Sequence, residues 1–529
     1  MKGAGTLLFT LILSGFSALR CGATTYQSDG SAASVQGLHN TILNGDTIAL
    51  PAGTFTWTTR VNLNKAITLQ GVGVGATIIR DAVQDGQLMS INLVAGRLTR
   101  LTGIEFQNGG RQNAAIGGTI RVDGSNTNGS QFRFDHNVWN RVNGTLLCDT
   151  VIGVIDHNQF TQNVTAGTVW IYGSRWDGGS YGDGSWAAPT GFGSSQFLFI
   201  EDNTWQSAAA GFVMAMTDAY GGARFVVRHN QINDCFIANH GTESTGRIRG
   251  ARAMEVYRNT WTGTNLNRFV GGTRSGGVLF HNNNISGYSN EPVFTLQNYR
   301  NFHPFEPFGG ADGTNQWDAN RPNPFFTGTA ASNSSVTTVT VSGNPGWTTG
   351  QWIGYTLRRT TNACNSGSLT FGEIVANTSN TITYTATCCH IPTMSFCAGD
   401  TLEIRKVDHA LDQPGRARGS LIRGDTPVRP PNWNDQVTEP CYSWNNGGVN
   451  FDANVPSIRL NEHYFNNTAM PGYAEFTYPH PLVNGGALPL LPSPGATGTS
   501  QRKPWGKMRE KTKELKRKPG KKAKQNPAN

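Results

Sequence analysis

The 529-residue chain is short of charge, because Asp, Glu, Lys and Arg together make up only 15% of it. The charge is also unevenly placed. Residues 502–529 carry twelve basic and two acidic side chains, whereas residues 24–501 have a net charge of about −3. The net positive charge therefore belongs to the tail and not to the folded part, and no nucleic-acid partner is expected.

Long hydrophobic runs are missing as well. The apolar stretch at residues 7–19 is too short for a comfortable bilayer crossing, so no membrane span is expected. Lys2 before this stretch and the small residues after it are typical of a secretory signal. The sequence therefore predicts a signal peptide over residues 1–23 and a secreted protein, extracellular or periplasmic.

Cysteine is scarce, with eight in the whole chain. Four of them cluster at positions 364, 388, 389 and 397, and their adjacent pair lacks the paired spacing of a zinc site. Export permits disulfides, so bridges or free thiols are expected there rather than a metal. Cys148 and Cys235 lie in strand-like segments and are expected in the core. No motif predicts a cofactor, and a need for calcium is left open.

What the chain does have is a repeated phrase of apolar and polar residues around an asparagine, as in Phe-Arg-Phe-Asp-His-Asn-Val-Trp at 132–139. Its asparagines are Asn137, Asn158, Asn203, Asn230, Asn259 and Asn283. They are separated by 21, 45, 27, 29 and 24 residues. Strand-like phrases at such a period predict a β-solenoid, and the 65 glycines suit its many short strands and turns.

The asparagines have a structural explanation. In stacked parallel coils, equivalent residues lie about 4.8 Å apart. A buried asparagine at each turn can adopt the left-handed conformation, and its amide can bond the asparagines above and below. The repeat therefore predicts the scaffold, and the chemistry must come from other residues.

Changes of pattern along the chain predict its domain organisation. Residues 31–45 have apolar residues at helical spacing, which predicts a short helix that caps the first coil. Thr/Ser/Val alternation after position 324 predicts an inserted antiparallel β-module. The expected units are a signal peptide (1–23), a parallel β-helix (24–323), the β-module (324–408), C-terminal coils with a cap (409–486) and a disordered basic tail (487–529).

These features resemble the pectate-lyase-like superfamily, over roughly residues 31–323 and 409–480. The phrase Ile-Asp-His-Asn at 155–158 is similar to the Trp-Ile-Asp-His phrase of pectate lyases, with Val154 in place of the tryptophan. The resemblance implies an all-β fold, a right-handed parallel β-helix. The Arg-x-Pro-x-x-Arg motif of pectate lyases and the clustered aspartates of polygalacturonases are absent, so the resemblance does not single out one reaction.

In that superfamily, the substrate groove lies along the first strand of each coil and the loop that follows it. The polar residues that the resemblance places there are Asp149, Tyr172, Asp218, His240, Arg274 and Arg300. His240 begins a Gly- and Arg-rich loop that runs to residue 252. Between 247 and 300 there are seven arginines and two acids, and arginine suits the carboxylates of an acidic polysaccharide.

A polysaccharide lyase that acts by β-elimination is the leading prediction. His240, a neighbouring arginine or Tyr172 would be the base, and Arg249 and Arg274 would neutralise the substrate carboxylate. The remaining predicted catalytic residue is Asp218. The predicted substrate-binding residues are Arg247, Arg252, Arg300, Glu243, Trp176 and Tyr181.

Two alternatives remain. A glycoside hydrolase of the same fold would use Asp218 and Glu243, which are 25 residues apart, roughly one coil. A non-catalytic glycan-binding or adhesive β-helix would use the aromatic loop at 173–195. In every case the expected partner is a polysaccharide and the chain is expected to be a monomer. The tail at 502–529 either binds an anionic envelope surface or has no specific partner.

Overall fold

The computed structural model describes residues 22–115, 117–124, 131–162, 167–173, 189–208, 214–241, 250–264, 269–288, 293–297, 313, 320, 322–364, 371–385, 394–406, 414–416, 438–453 and 458–486. Within these ranges the chain is mostly β, and three long parallel sheets wind around one core. The predicted parallel β-helix is confirmed. The described ranges contain no helix long and apolar enough to cross a bilayer.

Strands are numbered along the chain, and each complete coil in the middle of the described solenoid contributes one strand to each sheet. Sheet A consists of β1 (Thr25–Gln27), β2 (Thr47–Ala49), β5 (Thr68–Gln70), β8 (Leu98–Thr102), β11 (Gln131–Asp135), β14 (Ile152–Asp156), β17 (Leu198–Glu201), β20 (Arg224–Arg228), β23 (Ala253–Tyr257), β26 (Gly277–His281), β35 (Cys441–Trp444) and β37 (Tyr464–Phe465).

Sheet B follows the asparagine turn. It consists of β3 (Gly53–Trp57), β6 (Thr77–Asp81), β9 (Glu105–Asn108), β12 (Val138–Asn140), β15 (Gln159–Gln162), β18 (Thr204–Ser207), β21 (Gln231–Asn233), β24 (Thr260–Thr262) and β27 (Asn284–Ser286). Its inward residues are large and stacked in register, as where the Phe160 ring lies 4.0 Å from that of Trp205.

Sheet C provides the strand that precedes sheet A in each coil. It consists of β4 (Val61–Leu63), β7 (Met89–Asn92), β10 (Ile120–Asp123), β13 (Leu146–Asp149), β16 (Val169–Tyr172), β19 (Met214–Tyr220), β22 (Cys235–Ile237), β25 (Gly271–Thr273), β28 (Phe294–Leu296) and β36 (Phe451–Ala453). Cys148 and Cys235 are buried free thiols in the core, as predicted.

The asparagine ladder forms as expected. The side-chain amide of Asn158 donates to Oδ1 of Asn203 at 2.9 Å, and Asn203 donates to Asn230 at 3.0 Å. One detail of the prediction is wrong, because the left-handed residue is the one that precedes each asparagine. His136, for example, has φ 51°. The turn residue supplies the strained backbone, which leaves the asparagine free to bond its neighbours.

Helix α1 (Ala32–Thr41) covers the first coil and confirms the predicted N-terminal cap. Ser31 caps it, since the Ser31 side chain accepts a hydrogen bond from the Ser34 amide at 3.1 Å. Val35 is fully buried against the strands of the first coil. The helix thereby closes the open end of the core.

The chain between β28 and β35 holds a separate antiparallel sheet. Its strands, in sheet order, are β29 (Phe326–Thr329), β34 (Thr401–Arg405), β31 (Thr356–Arg359), β32 (Phe371–Asn377), β33 (Thr381–Thr385) and β30 (Thr338–Thr340). The predicted inserted β-module is therefore present. Cys364 and Cys397 form a disulfide with Cα atoms 6.0 Å apart, and the adjacent cysteines at 388 and 389 lie outside the described residues.

The C-terminal segment does more than cap the last coil. After β37, residues 473–486 (the strap) turn back along the outer side of sheet A. Arg228 donates to the backbone carbonyls of Phe476 and Thr477, and Arg133, about three coils nearer the N-terminal end, donates to that of Leu482. The strap ends in a short 3-10 helix at Pro481–Asn484.

Candidate functional site

The outward-facing side of sheet C (face C) carries four of the predicted catalytic residues that the structure describes, Tyr172, Asp218, His240 and Arg274. Along its strands, core residues alternate with residues that point away from the core, as expected of a strand buried on one side. In β16, Val169 and Ile171 join the core, so Trp170 and Tyr172 point outward. The same alternation places Asp218 and Tyr220 of β19 on face C.

Asp218 and His240 come together on face C. Nδ1 of His240 is hydrogen-bonded to Oδ1 of Asp218, and the two side chains are 24% and 15% exposed. The backbone of His240 is hydrogen-bonded to residues of both neighbouring coils. Its N–H donates to the Ala219 carbonyl at 2.8 Å, and its carbonyl accepts from the Ser275 hydroxyl at 3.0 Å.

A β-bulge precedes Asp218. Ala215 pairs with Phe236 and Thr217 pairs with Ile237, so Met216 is an extra residue in β19. Its side chain is fully buried in the core. A bulge bends its strand and redirects the side chains that follow, and such bulges are common beside active sites. Here it sets the alternation that turns Asp218 toward His240.

An aromatic cluster lies next to the Asp218–His240 pair. The ring centroids of Tyr172 and Tyr220 are 4.1 Å apart, and those of Trp170 and Tyr172 are 6.1 Å apart. Trp170 lies opposite Asp218 in the neighbouring coil. Tyr172 and Tyr220 are buried and Trp170 is partly exposed, so the indole of Trp170 is the aromatic surface of this cluster on which a sugar ring can lie.

On the other side of the aromatic cluster is an ion pair that the sequence did not reveal. Arg121 donates to Asp149 at 3.1 Å and lies 3.7 Å from Asp123. Asp149 was placed on this face by the sequence, but β10 carries no asparagine phrase. The only available signal for Arg121 was the alternation of Ile120 and Val122 around it.

The predicted arginines do not form one strip where they are described. Arg274 lies on face C, and its N–H donates to Oδ1 of Asn239 at 2.8 Å. Arg252 has a side chain only 1% exposed, paired with Glu439 at 2.6 Å. Arg258 is paired with Glu475 of the strap. The predicted residues Arg247, Arg249, Arg300, Glu243, Trp176 and Tyr181 lie outside the described residues.

Other aspartate–histidine contacts exist in the coils, and they differ from this pair. His136 and His157 each bond the aspartate that precedes them, on the turn before sheet B. Asp218 and His240 are instead 22 residues apart, so the fold itself brings them together. Among the described residues, the one grouping with metal-ligand geometry is Cys364, Cys397 and Asp400 in the β-module, and its sulfurs are joined in the disulfide.

The pair can hold and move a proton. A carboxylate at Nδ1 of an imidazole fixes the tautomer with its proton there and leaves Nε2 as the acceptor. The same carboxylate stabilises the imidazolium that forms when Nε2 takes up a proton. Face C therefore holds an aspartate-bound imidazole next to aromatic side chains, and Arg274 lies one coil further along.

Comparison with known proteins adds little to this geometry. No protein-family model and no curated protein sequence matches the chain. Among solved structures, an alginate lyase from Paenibacillus sp. str. FPU-7 is similar at 13% identity, over 50% of this chain and 97% of the lyase, with a TM-score of 0.30. ORF18 of Geobacillus virus E2 is similar at 12% identity, over 68% of this chain and 76% of its own, also with a TM-score of 0.30.

Proposed function

We propose that the chain is a secreted polysaccharide lyase that cleaves an acidic, uronate-containing polysaccharide by β-elimination on face C. The observation that carries the proposal is the hydrogen bond between Asp218 and Nδ1 of His240. It joins residues of successive coils at a partly exposed position, beside aromatic rings and Arg274. A base, a cation and an apolar surface are what elimination from a uronate requires.

In the proposed reaction, Nε2 of His240 removes the proton from the carbon next to the substrate carboxylate. The electron pair of that C–H bond forms a carbon–carbon double bond, and the bond to the glycosidic oxygen on the adjacent carbon breaks. The leaving oxygen takes a proton from Tyr172 or from solvent. The products are an unsaturated uronate and a new chain end, so atoms and charge balance without a co-reactant.

The neighbours of His240 have separate roles in this proposal. Asp218 is a positioning residue, because it touches Nδ1 and orients the ring. Arg274 stabilises the negative charge that develops on the carboxylate, assisted by Arg249. Arg247, Arg300, Glu243, Trp176 and Tyr181 remain predicted substrate contacts. Arg252 has no direct role in this proposal, since its buried side chain is paired with Glu439.

The shape of face C supports a polymer as the substrate. Its outward residues are repeated coil by coil along the solenoid axis, from Arg121 through Trp170 to Arg274. A polymer laid along this axis would meet the ion pair, the aromatic cluster and the histidine in turn. The basic tail at 502–529 would hold the enzyme on an anionic surface where such a polymer is found.

The test is a screen of the purified protein on a panel of polyuronates, with a neutral glucan as the control substrate. The expected result is a rise in ultraviolet absorbance from the unsaturated uronate, equal in moles to the new reducing ends. New reducing ends without that absorbance would replace elimination with hydrolysis, for which Asp218 and Glu243 are the candidate pair. Binding without either product on any polymer would favour the glycan-binding alternative.

A further inference from the structure

Face C changes shape abruptly at Asp218. Trp170 pairs with Asp218, and the next coils continue this outward column. Gly271 pairs with both Ile237 and Phe294, whose side chains point into the core. The residues that follow these three, Ala238, Gly272 and Thr295, therefore lie on the outward side of the sheet. From the N-terminal end, the outward column reads Leu147, Trp170, Asp218, Ala238, Gly272 and Thr295.

The drop in side-chain size creates a depression. An indole ring on one side of Asp218 is followed on the other by a methyl group and then by no side chain at all. Ala238 and Gly272 are both partly exposed, so the floor of the depression is open to ligands. The fold requires glycine at 272, because a Cβ atom there would lie 2.9 Å from the carbonyl oxygen of Thr295.

The next column forms one wall of the depression. The hydrogen bond from the His240 amide to the Ala219 carbonyl sets His240 opposite Tyr220. By the same register as Gly272, Arg274 lies opposite His240, one coil further along. The base and the cation therefore both border the depression, whereas Trp170 and Tyr172 border the opposite side of Asp218.

We infer that the depression over Ala238 and Gly272 is the subsite for the uronate ring that loses its proton, and that Ala238 limits the size of the ring accepted there. This inference rests on the proposed function. The acidic proton of a uronate is next to its carboxylate, so the ring that approaches His240 must direct its carboxylate toward Arg274. Only the Ala238 side of Asp218 allows both contacts. The unit across the scissile bond then lies on the partly exposed Trp170.

The experiment is a graded series, Ala238→Val and Ala238→Leu, with Thr161→Leu as the matched control. Thr161 is a partly exposed residue of β15 on the outer side of sheet B, so this variant introduces the same leucine side chain away from face C. The expected result is a stepwise fall in kcat/KM on polyuronate, to below one-tenth for leucine, mainly through KM. The valine variant preserves the test if the leucine variant does not fold. The control keeps the wild-type value.

Affinity electrophoresis through polyuronate gels separates this inference from the proposed function. Cleavage by the wild type together with unchanged kcat/KM in both Ala238 variants overturns the inference and leaves the lyase intact. Polymer binding without cleavage, weakened stepwise by the two variants and not by Thr161→Leu, supports the depression as a site that binds a uronate ring, and overturns both the lyase and the role of that ring in proton loss. Absence of both cleavage and binding by the wild type overturns both.

Discussion

The outward sides of sheets A and C come from the same coils and carry different kinds of surface. On sheet A, the side chains of Arg228 and Glu201 are fully buried, and that of Arg133 is 7% exposed. Their hydrogen bonds are completed by one another and by the strap. On face C, Asp218, His240 and Arg121 keep 15–28% of their side chains exposed.

This comparison shows why charge on a solenoid flank is a poor guide to function. Among the described residues of sheet A, the buried charges of Arg133, Arg228 and Glu201 are all paired within the chain. Arg228 bonds Glu201, Tyr257 and two strap carbonyls, a set of partners that leaves it little to offer a ligand. On the part of face C that the structure describes, Asp218, His240 and Arg121 are partly exposed, and Asp218 lies beside the Trp170 ring. Four predictions test this contrast.

The largest expected effect is the loss of kcat/KM on replacing His240, compared with replacing another histidine that also bonds an aspartate. His240→Ala should lower kcat/KM on polyuronate by roughly 10²- to 10⁴-fold, the range for loss of a general base. His157→Ala removes a histidine that also bonds an aspartate, but on the turn before sheet B, and should leave kcat/KM unchanged. Equal losses in both variants would contradict a catalytic role specific to face C.

The second prediction concerns the buried ion pair under the strap. Arg228→Met leaves the Glu201 carboxylate buried without its partner, which should cost about 3–5 kcal/mol of the free energy of unfolding. Denaturant unfolding measures it. Arg459→Ala is the control, since its ion pair with Glu462 is exposed and is worth less than about 1 kcal/mol. The double variant Arg228→Met, Glu201→Leu should recover much of the loss.

The third prediction is a pH dependence of the strap. Burial raises the pKa of Glu255 from 4.5 to about 7, although Tyr473 of the strap and the Gly193 amide both donate to its carboxylate. The fold thus favours the protonated form, so this contribution to stability is complete below about pH 4.5 and is lost as the pH rises through about 7. The loss amounts to roughly 3 kcal/mol.

Glu255→Gln should therefore abolish the decline in unfolding free energy between about pH 5 and about pH 8. It should leave the decline at acid pH, because burial lowers the pKa of both His281 and His480 to about 3. As the pH falls from about 6.5 toward 3, these histidines take up protons in the unfolded chain but stay neutral in the folded protein. The free energy of unfolding therefore decreases over this range. Glu462→Gln is the control. If the decline between about pH 5 and about pH 8 persists in Glu255→Gln, Glu255 is not its cause.

The smallest expected effect is on the aromatic cluster. Trp170→Leu removes a ring surface beside Asp218 and should raise KM for polyuronate roughly threefold to tenfold, with kcat nearly unchanged. The conservative variant Trp170→Phe should restore most of the affinity. A fall in kcat with no change in KM would instead make Trp170 a support for the Asp218–His240 pair.

The repeat made much of this architecture predictable. The asparagine phrase gave the coil register, and with it the strand at 169–172 and the outward position of Tyr172. It also placed Asp218 and His240 on one face. The hydrogen bond between them depends on the bulge at Met216, and one extra residue in a strand has no signature in the hydrophobic pattern.

The strap was beyond sequence reasoning for a different reason. Arg133 bonds the carbonyl of Leu482, 349 residues later in the chain, and the accepting group is backbone. No side-chain pattern at 473–486 records such a contact. The turn conformation was also misassigned, since any of several residue types, His136 and Arg258 among them, can precede the asparagine in the left-handed conformation.

The asparagine ladder has a consequence for how such a chain can grow. Asn283 makes to Asn446, 163 residues later, the same bond that Asn259 makes to Asn283 across 24 residues. The change from 24 to 163 residues is nearly three doublings of the connection length. It adds only about 1.7 kcal/mol to the entropic cost of closing the loop. The exposed edge of a completed coil can therefore pair with the next strand almost regardless of how many residues separate them in the chain. A whole β-module can therefore be inserted between two coils while the asparagine ladder and the strand pairing continue from one coil to the next.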